Sequence, residues 1–118
     1  MIERVKISAA AKQQLITLKR RTGIEHYNII CRHALCLSLE NPSRPPVEAI
    51  AFVNGIEIDW KVFAGHAADT YLNMLAIRAL QDNGATSADL VHQTLSLHLH
   101  RGLSYLASNS EIIFPTLS

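Results

Sequence analysis

The residues of this sequence best suited to bind a ligand are the cations near its start. Residues 1–21 hold six cations and one acid, a charge of +5, whereas the other residues hold five cations and nine acids, a charge of −4. Lys and Arg beside phosphates release the counterions condensed on a nucleic acid, so this asymmetry favours a polyanionic partner. A merely solvated helix face is the alternative. The six cations are Arg4, Lys6, Lys12, Lys19, Arg20 and Arg21.

Metal-binding and acid-base patterns are weaker. His92, His98 and His100 lie six and two residues apart, which places their rings on different sides of a helix, whereas ligation from one face needs offsets of three, four or seven. Glu57 and Asp59 share one face of a predicted strand and could bind Mg²⁺ or transfer protons, but a solvated strand edge is favoured. We expect no metal site.

Nucleophile and cofactor motifs are missing from the sequence. It contains neither a Gly-x-Ser-x-Gly elbow nor a Gly-rich phosphate loop. Cys31 and Cys36 lie five apart, so on a helix they point about 140° away from each other and are not expected to pair. Trp60 could stack on an exposed base, but core packing is favoured. We expect no catalytic residues, no cofactor and no enzymatic activity.

A strand and a helix position the basic residues. Residues 2–7 alternate, with Val5 and Ile7 on one face and Arg4 and Lys6 on the other. Ser8 is a good helix N-cap and Gly23 a stop signal, so a first helix should span about residues 9–21. Strand and helix each present a basic side.

Helices dominate the rest of the sequence. A second, buried helix is expected over residues 25–39, followed by a proline-containing loop over 41–46. A third should run from about 67 to 81 and a fourth from about 88 to 100, where Gly102 should interrupt it before one more turn. The third helix should bury five residues, namely Tyr71, Leu72, Leu75, Ala79 and Leu80.

Two further segments have other expected structures. Residues 47–53 and 56–63 flank Asn54-Gly55, a pair that tolerates the positive φ values of a type I′ turn, so a β-hairpin is expected there. Residues 108–118 read as a tail that docks through Ile112, Ile113 and Phe114.

Composition indicates one mainly α domain over residues 1–118, with four to five helices, a short N-terminal strand and the hairpin. The residues are 48% hydrophobic and 18% charged, which leaves little polar surface for a small monomer, so we expect a homo-oligomer, either dimer or tetramer. No apolar run approaches the roughly 20 residues of a spanning helix, and the start lacks the apolar core of a secretory signal. We therefore expect a cytoplasmic protein with no membrane contact.

The first third of the chain resembles the ribbon-helix-helix DNA-binding unit. A strand, a helix and a second helix follow one another within 40 residues. In that family, paired strands enter the major groove, so the resemblance implies that Ile2, Arg4 and Lys6 face the bases. A transcriptional regulator is the function that this resemblance implies.

A second resemblance covers nearly the whole chain. Residues 21–24 (RTGI), 28–39 (NIICRHALCLSL), 57–63 (EIDWKVF) and 98–103 (HLHRGL) are similar to the DndE family of bacterial DNA sulfur modification proteins. The resemblance implies the small DNA-binding component of a phosphorothioation system, in which sulfur replaces a non-bridging phosphate oxygen. It also implies nicked double-stranded DNA as the ligand, and as partners an iron-sulfur sulfurtransferase component and an ATPase component.

Taken together, the residues and the second resemblance favour a subunit that binds the DNA backbone through its six N-terminal cations. Contacts to phosphates carry little sequence information and depend strongly on salt. Two alternatives stay open, namely the ribbon-helix-helix regulator and a protein-protein adaptor that does not bind DNA.

Overall fold

The computed structural model describes residues 2–108, which form a mainly helical fold around one core. Their elements are β1 (Arg4–Ile7), α1 (Ala9–Thr22), α2 (Tyr27–Glu40), β2 (Ile56–Asp59), α3 (Trp60–Ala64), α4 (Ala68–Asn83) and α5 (Ala88–Ser108), with a 3₁₀ turn at Gly65–Ala67. The mainly α fold class is confirmed. The expected docking of Ile112, Ile113 and Phe114 lies outside the described residues.

The start of the chain folds as its local signals predict. Val5 and Ile7 are buried in β1, while Arg4 and Lys6 are exposed. The Ala11 N–H donates to Ser8 Oγ over 3.1 Å, which caps α1. α1 ends at Thr22, because Gly23 adopts the left-handed conformation with φ of 73°.

The β-hairpin prediction is wrong about its pairing. β2 pairs antiparallel with β1, not with residues 47–53, for which the structure assigns no strand. Val5 lies opposite Ile58, and Ile7 lies opposite Ile56. This pairing places apolar side chains of both strands on one face of the sheet, where those of β1 join the core.

The Asn54-Gly55 pair also has a different role from the one expected. Asn54 has φ of 64°, but Gly55 has no positive φ, so the two residues do not form a type I′ turn. A Cβ atom on Gly55 would lie 1.9 Å from the Ile7 carbonyl oxygen. Glycine is required there because the chain passes directly against the end of β1.

The second half of the predicted hairpin strand is helical. Asp59 Oδ1 accepts a hydrogen bond from the Lys61 N–H over 3.0 Å, which caps the short helix α3. Trp60 is 6% exposed and stacks on Phe63 at 5.6 Å between ring centroids. The preference for core packing of Trp60 is therefore confirmed.

Helix α5 packs closely along α2 and continues through Gly102. The prediction that Gly102 interrupts the helix is wrong, since α5 extends to Ser108. A Cβ atom on Gly102 would lie 1.8 Å from the Ala34 carbonyl oxygen of α2. Glycine here allows the two helix backbones to touch, which offsets its low helix propensity.

Helix α4 has one buried face. Leu75 and Ala79 are fully buried as expected, and Tyr71 and Leu72 are partly buried. Leu80 is 53% exposed, so its predicted burial is wrong. None of the helices within residues 2–108 combines the length and the apolar character needed to cross a membrane.

Candidate nucleic-acid interface

The cations of β1 face acids of β2. Arg4 lies opposite Asp59 and Lys6 opposite Glu57 in the sheet register. Arg4 Nη1 also lies 3.6 Å from Glu57 Oε2, and both side chains are largely exposed. The two cations and two acids cancel in charge, so the basic side of the strand that the sequence predicts is neutralised.

Three cations of α1 lie together in the structure. At 100° per residue, Lys12, Lys19 and Arg20 fall within a sector of about 100° around the helix. Lys19 and Arg20 are exposed, Lys12 is partly buried, and α1 contains no acid. Ile16, 38% exposed, lies at the centre of this sector. We call Lys12, Lys19 and Arg20 the α1 basic face.

Arg21 is turned away from the α1 basic face. It lies about 100° further around the helix than Arg20. Its Nη1 donates to the Ala107 carbonyl of α5 over 3.4 Å. The α1 basic face therefore contains three of the six predicted residues, whereas Arg4 and Lys6 lie opposite acids of β2 and Arg21 contacts α5.

The basic residues near the end of α1 also stabilise the helix itself. Lys19, Arg20 and Arg21 occupy its last turn, where the helix dipole places partial negative charge. Each such cation contributes about 0.3–1 kcal/mol at an exposed site. Lys19 Nζ lies 5.4 Å from the Tyr27 ring centroid, which holds that cation against α2.

The structure contains a buried polar network that sequence reasoning missed. His98 is fully buried, with Nδ1 2.8 Å from Ser38 Oγ and Nε2 2.9 Å from Asp82 Oδ2. Arg101 Nε donates to Ser38 Oγ over 2.8 Å, and Arg78 Nε donates to Asp82 Oδ1 over 3.0 Å. One neutral tautomer satisfies the chain: Ser38 donates to Nδ1, and Nε2 donates to Asp82. We call these five residues the His98 network.

Burial and hydrogen bonding set the pKa values inside the His98 network. Burial lowers the pKa of His98 below its usual value, and the nearby Arg78 acts in the same direction, against the hydrogen bond to Asp82. Burial alone would raise the pKa of Asp82, but hydrogen bonds from His98 and Arg78 lower it overall. Asp82 is therefore ionised at neutral pH and offsets one of the two guanidinium charges of the network.

The His98 network closes the end of α2. Arg78 donates to the carbonyls of Leu39, Asn41 and Ser43, and Arg101 donates to those of Ser38, Asn41 and Ser43. The last carbonyls of a helix lack N–H partners within the helix, so the two guanidinium groups supply the missing hydrogen-bond donors. Although Ser, His and Asp meet here, Ser38 and His98 are fully buried, and this position supports a structural role.

Three further candidate residues are His100, Cys31 and Cys36. His100 Nε2 accepts from the Ser8 N–H over 3.1 Å, its Nδ1 donates to the Ser96 carbonyl, and burial lowers its pKa. Cys31 and Cys36 are both unpaired thiols, and burial raises the pKa of Cys31 to about 12 despite the neighbouring Arg32. Within residues 2–108, no group of three His, Cys, Asp or Glu side chains is arranged to hold a metal ion.

Comparison with known proteins identifies the family. The profile of the DNA sulphur modification protein DndE matches residues 4–113. This chain belongs to the DndE family. The prediction from sequence resemblance is confirmed, and the ribbon-helix-helix alternative is not supported: β1 pairs with β2 of the same chain, and Ile2 is buried.

Solved DndE structures share the fold. DndE from Escherichia coli B7A, described as involved in DNA phosphorothioation modification, has a TM-score of 0.68 at 22% identity, covering 90% of this chain and 97% of that one. A DndE variant with two glycine-to-lysine substitutions, described as involved in DNA phosphorothioation, has a TM-score of 0.68 at 18% identity, covering 92% and 100%. No curated protein sequence matches the chain.

Proposed function

We propose that this DndE family member serves DNA phosphorothioation as a non-catalytic subunit that binds the DNA backbone. The α1 basic face carries the proposal, because it presents three cations in one sector of a helix without an acid. Cations of this kind bind phosphates whatever the base sequence. Membership of a DNA sulphur modification family and the description of the solved relatives support DNA as the polyanion.

The six cations contribute unequally in this proposal. Lys12, Lys19 and Arg20 make the phosphate contacts, and Arg21 adds charge at the edge of that surface. Arg4 and Lys6 contribute little, because Asp59 and Glu57 neutralise them.

Several copies of the α1 basic face would join in a homo-oligomer, either dimer or tetramer, since a few phosphate contacts give weak binding. The proposed ligand is double-stranded DNA with a preference for nicked duplex. The proposed partners are the sulfurtransferase and ATPase components of the modification system, in the cytoplasm.

Salt-dependent DNA binding tests the proposal. Fluorescence anisotropy with intact duplex, nicked duplex and single strand, each across a salt titration, gives the slope of log affinity against log salt. Each lost phosphate contact lowers this slope by about one, so Lys19→Ala with Arg20→Ala should lower it by about two. The preference between DNA forms should remain.

A matched double variant controls for net charge. Arg44→Ala with Lys61→Ala removes two exposed cations outside α1 and should leave the slope unchanged. Helix content by circular dichroism shows whether the α1 variants remain folded. Equal slopes in the two double variants would contradict the site assignment. If no form of DNA binds at low salt, the adaptor without DNA binding replaces the proposal.

A further inference from the structure

A second group of reactive side chains lines a small cavity between α2 and α4. Ile29, Arg32, His33 and Cys36 occur at i, i+3, i+4 and i+7 of α2 and therefore share one face of that helix. Together with Tyr71 of α4 they line a cavity of about 200 Å³. The space is large enough for a small group bound to the sulfur of Cys36.

The two thiols of α2 differ in access. Cys31 is fully buried, and its raised pKa keeps it in the unreactive thiol form. Cys36 is partly exposed and lies at the cavity. Only Cys36 is therefore placed to meet a reagent from solution.

Arg32 is held in place beside this thiol. Its Nη1 donates to the Phe63 carbonyl over 3.1 Å. A Cβ atom at Gly65 would lie 3.2 Å from Nη1, so a glycine leaves room for the guanidinium. Arg32 and Cys36 are one helical turn apart and both line the cavity, so the guanidinium adds positive charge to that space.

Tyr71 closes the cavity from α4. Burial raises the pKa of Tyr71, and the neighbouring Cys36 raises it further, so the hydroxyl stays protonated and can donate a hydrogen bond to a sulfur anion. The Tyr71 ring packs edge-on against Phe63 at 6.1 Å. The cavity thus combines a thiol, a fixed cation and a hydroxyl donor.

We propose that Cys36 accepts sulfane sulfur from a persulfide donor. The Cys36 thiolate attacks the terminal sulfur of a persulfide, R–S–SH. A new sulfur-sulfur bond forms to Cys36 as the donor bond breaks, and R–S⁻ leaves with the electron pair of that bond. Sulfur is transferred without a net oxidant or reductant, and the Cys36 persulfide loses its proton to water. Arg32 and Tyr71 stabilise its terminal sulfur anion.

This inference rests on the proposed function, because the chain belongs to a DNA sulphur modification family, whose chemistry requires transferable sulfur. It assigns the chain a second task, holding sulfur, that DNA binding does not require. The two tasks have separate residues, because Cys36 and Arg32 are not part of the α1 basic face.

Intact-protein mass spectrometry after brief treatment with glutathione persulfide tests the inference. The full chain should gain the mass of one sulfur atom, and peptide mapping should place it on Cys36. Cys36→Ser should abolish the gain, whereas Cys31→Ser, a matched control on the same helix, should keep it. Arg32→Gln should slow loading about tenfold, and Arg32→Lys should restore part of the rate, because a cation at the cavity stabilises the persulfide anion.

Circular dichroism establishes that each variant is folded, and Cys36→Ala provides a second test if Cys36→Ser is not. Sulfur gain on neither cysteine, equal gain on both, or a rate indifferent to Arg32→Gln would overturn the inference. DNA anisotropy of Cys36→Ser separates the two proposals. Normal DNA binding without sulfur loading of the natural chain leaves the proposed function standing and removes only this inference.

Discussion

Replacing Asp82 with Asn should strongly destabilise the protein. The Asp82 carboxylate accepts from Arg78 over 3.0 Å and from His98 over 2.9 Å, and its side chain is 7% exposed. Asn has an N–H₂ group in place of one carboxylate oxygen. This group would face either Arg78 or His98, both of which are donors. Either way, the positive charges of Arg78 and Arg101 lose their nearby anion.

The expected loss follows from the geometry of the buried pair. Removing one partner of a buried ion pair costs about 3–5 kcal/mol, because the remaining charge stays buried without compensation. If the His98 proton moves to Nδ1, Ser38 Oγ must accept from both His98 and Arg101, and the Ser38 hydroxyl proton loses Nδ1 as its acceptor. For a domain of this size the melting temperature should fall by about 4 °C per kcal/mol, or about 12–20 °C.

Urea unfolding followed by the fluorescence of Trp60 measures this loss. The control is Asp69→Asn, which removes an exposed carboxylate from the first turn of the same helix and should cost about 0.3–1 kcal/mol. Similar losses in the two variants would refute the view that Asp82 balances a buried cationic network. A concentration-independent midpoint for each variant would show that subunit association does not determine the result.

Two further predictions concern pH and helix packing. Stability should fall as the pH drops through about 6.5, because burial lowers the pKa of His98 in the folded chain and the unfolded chain therefore binds a proton first. His98→Gln should reduce this decline in urea titrations, and an undiminished decline would contradict it. Gly102→Ala should cost about 3 kcal/mol, because its Cβ would overlap the Ala34 carbonyl oxygen. Gly23→Ala has open space around it but a φ of 73°, so it should cost about 1–2 kcal/mol by thermal melting. Equal costs would exclude close helix contact as the reason for Gly102.

Local signals predicted the elements of the fold better than its pairing. Ser8 and Gly23 identify the two ends of α1, because caps act on neighbouring backbone groups. β2 instead pairs with a strand about 50 residues earlier, and no local pattern in residues 47–63 reports that partner. Gly102 shows the same limit: a glycine signals a helix end or a close helix contact, and only the neighbouring Ala34 decides between them.

The candidate site was predictable in composition but not in arrangement. The charge count found all six cations, but Asp59 and Glu57, which neutralise two of them, are far away in sequence. The His98 network escaped detection for a related reason. Helical spacing compares residues within one helix, whereas Ser38, Asp82 and His98 come from three. Resemblance to the DndE family predicted the family correctly, which residue spacing could not, because the resemblance covers nearly the whole chain.

The close contact between α2 and α5 has a consequence for biosynthesis. Residues 27–40 leave the ribosome long before residues 88–108, and at about 5–20 residues per second the interval lasts several seconds. During that time α5 does not yet cover the apolar face of α2. Gly102 has no side chain whose rotation could compensate for a misplaced α2 when the two helices meet. The packing of α2 can therefore be completed only after α5 has been synthesised.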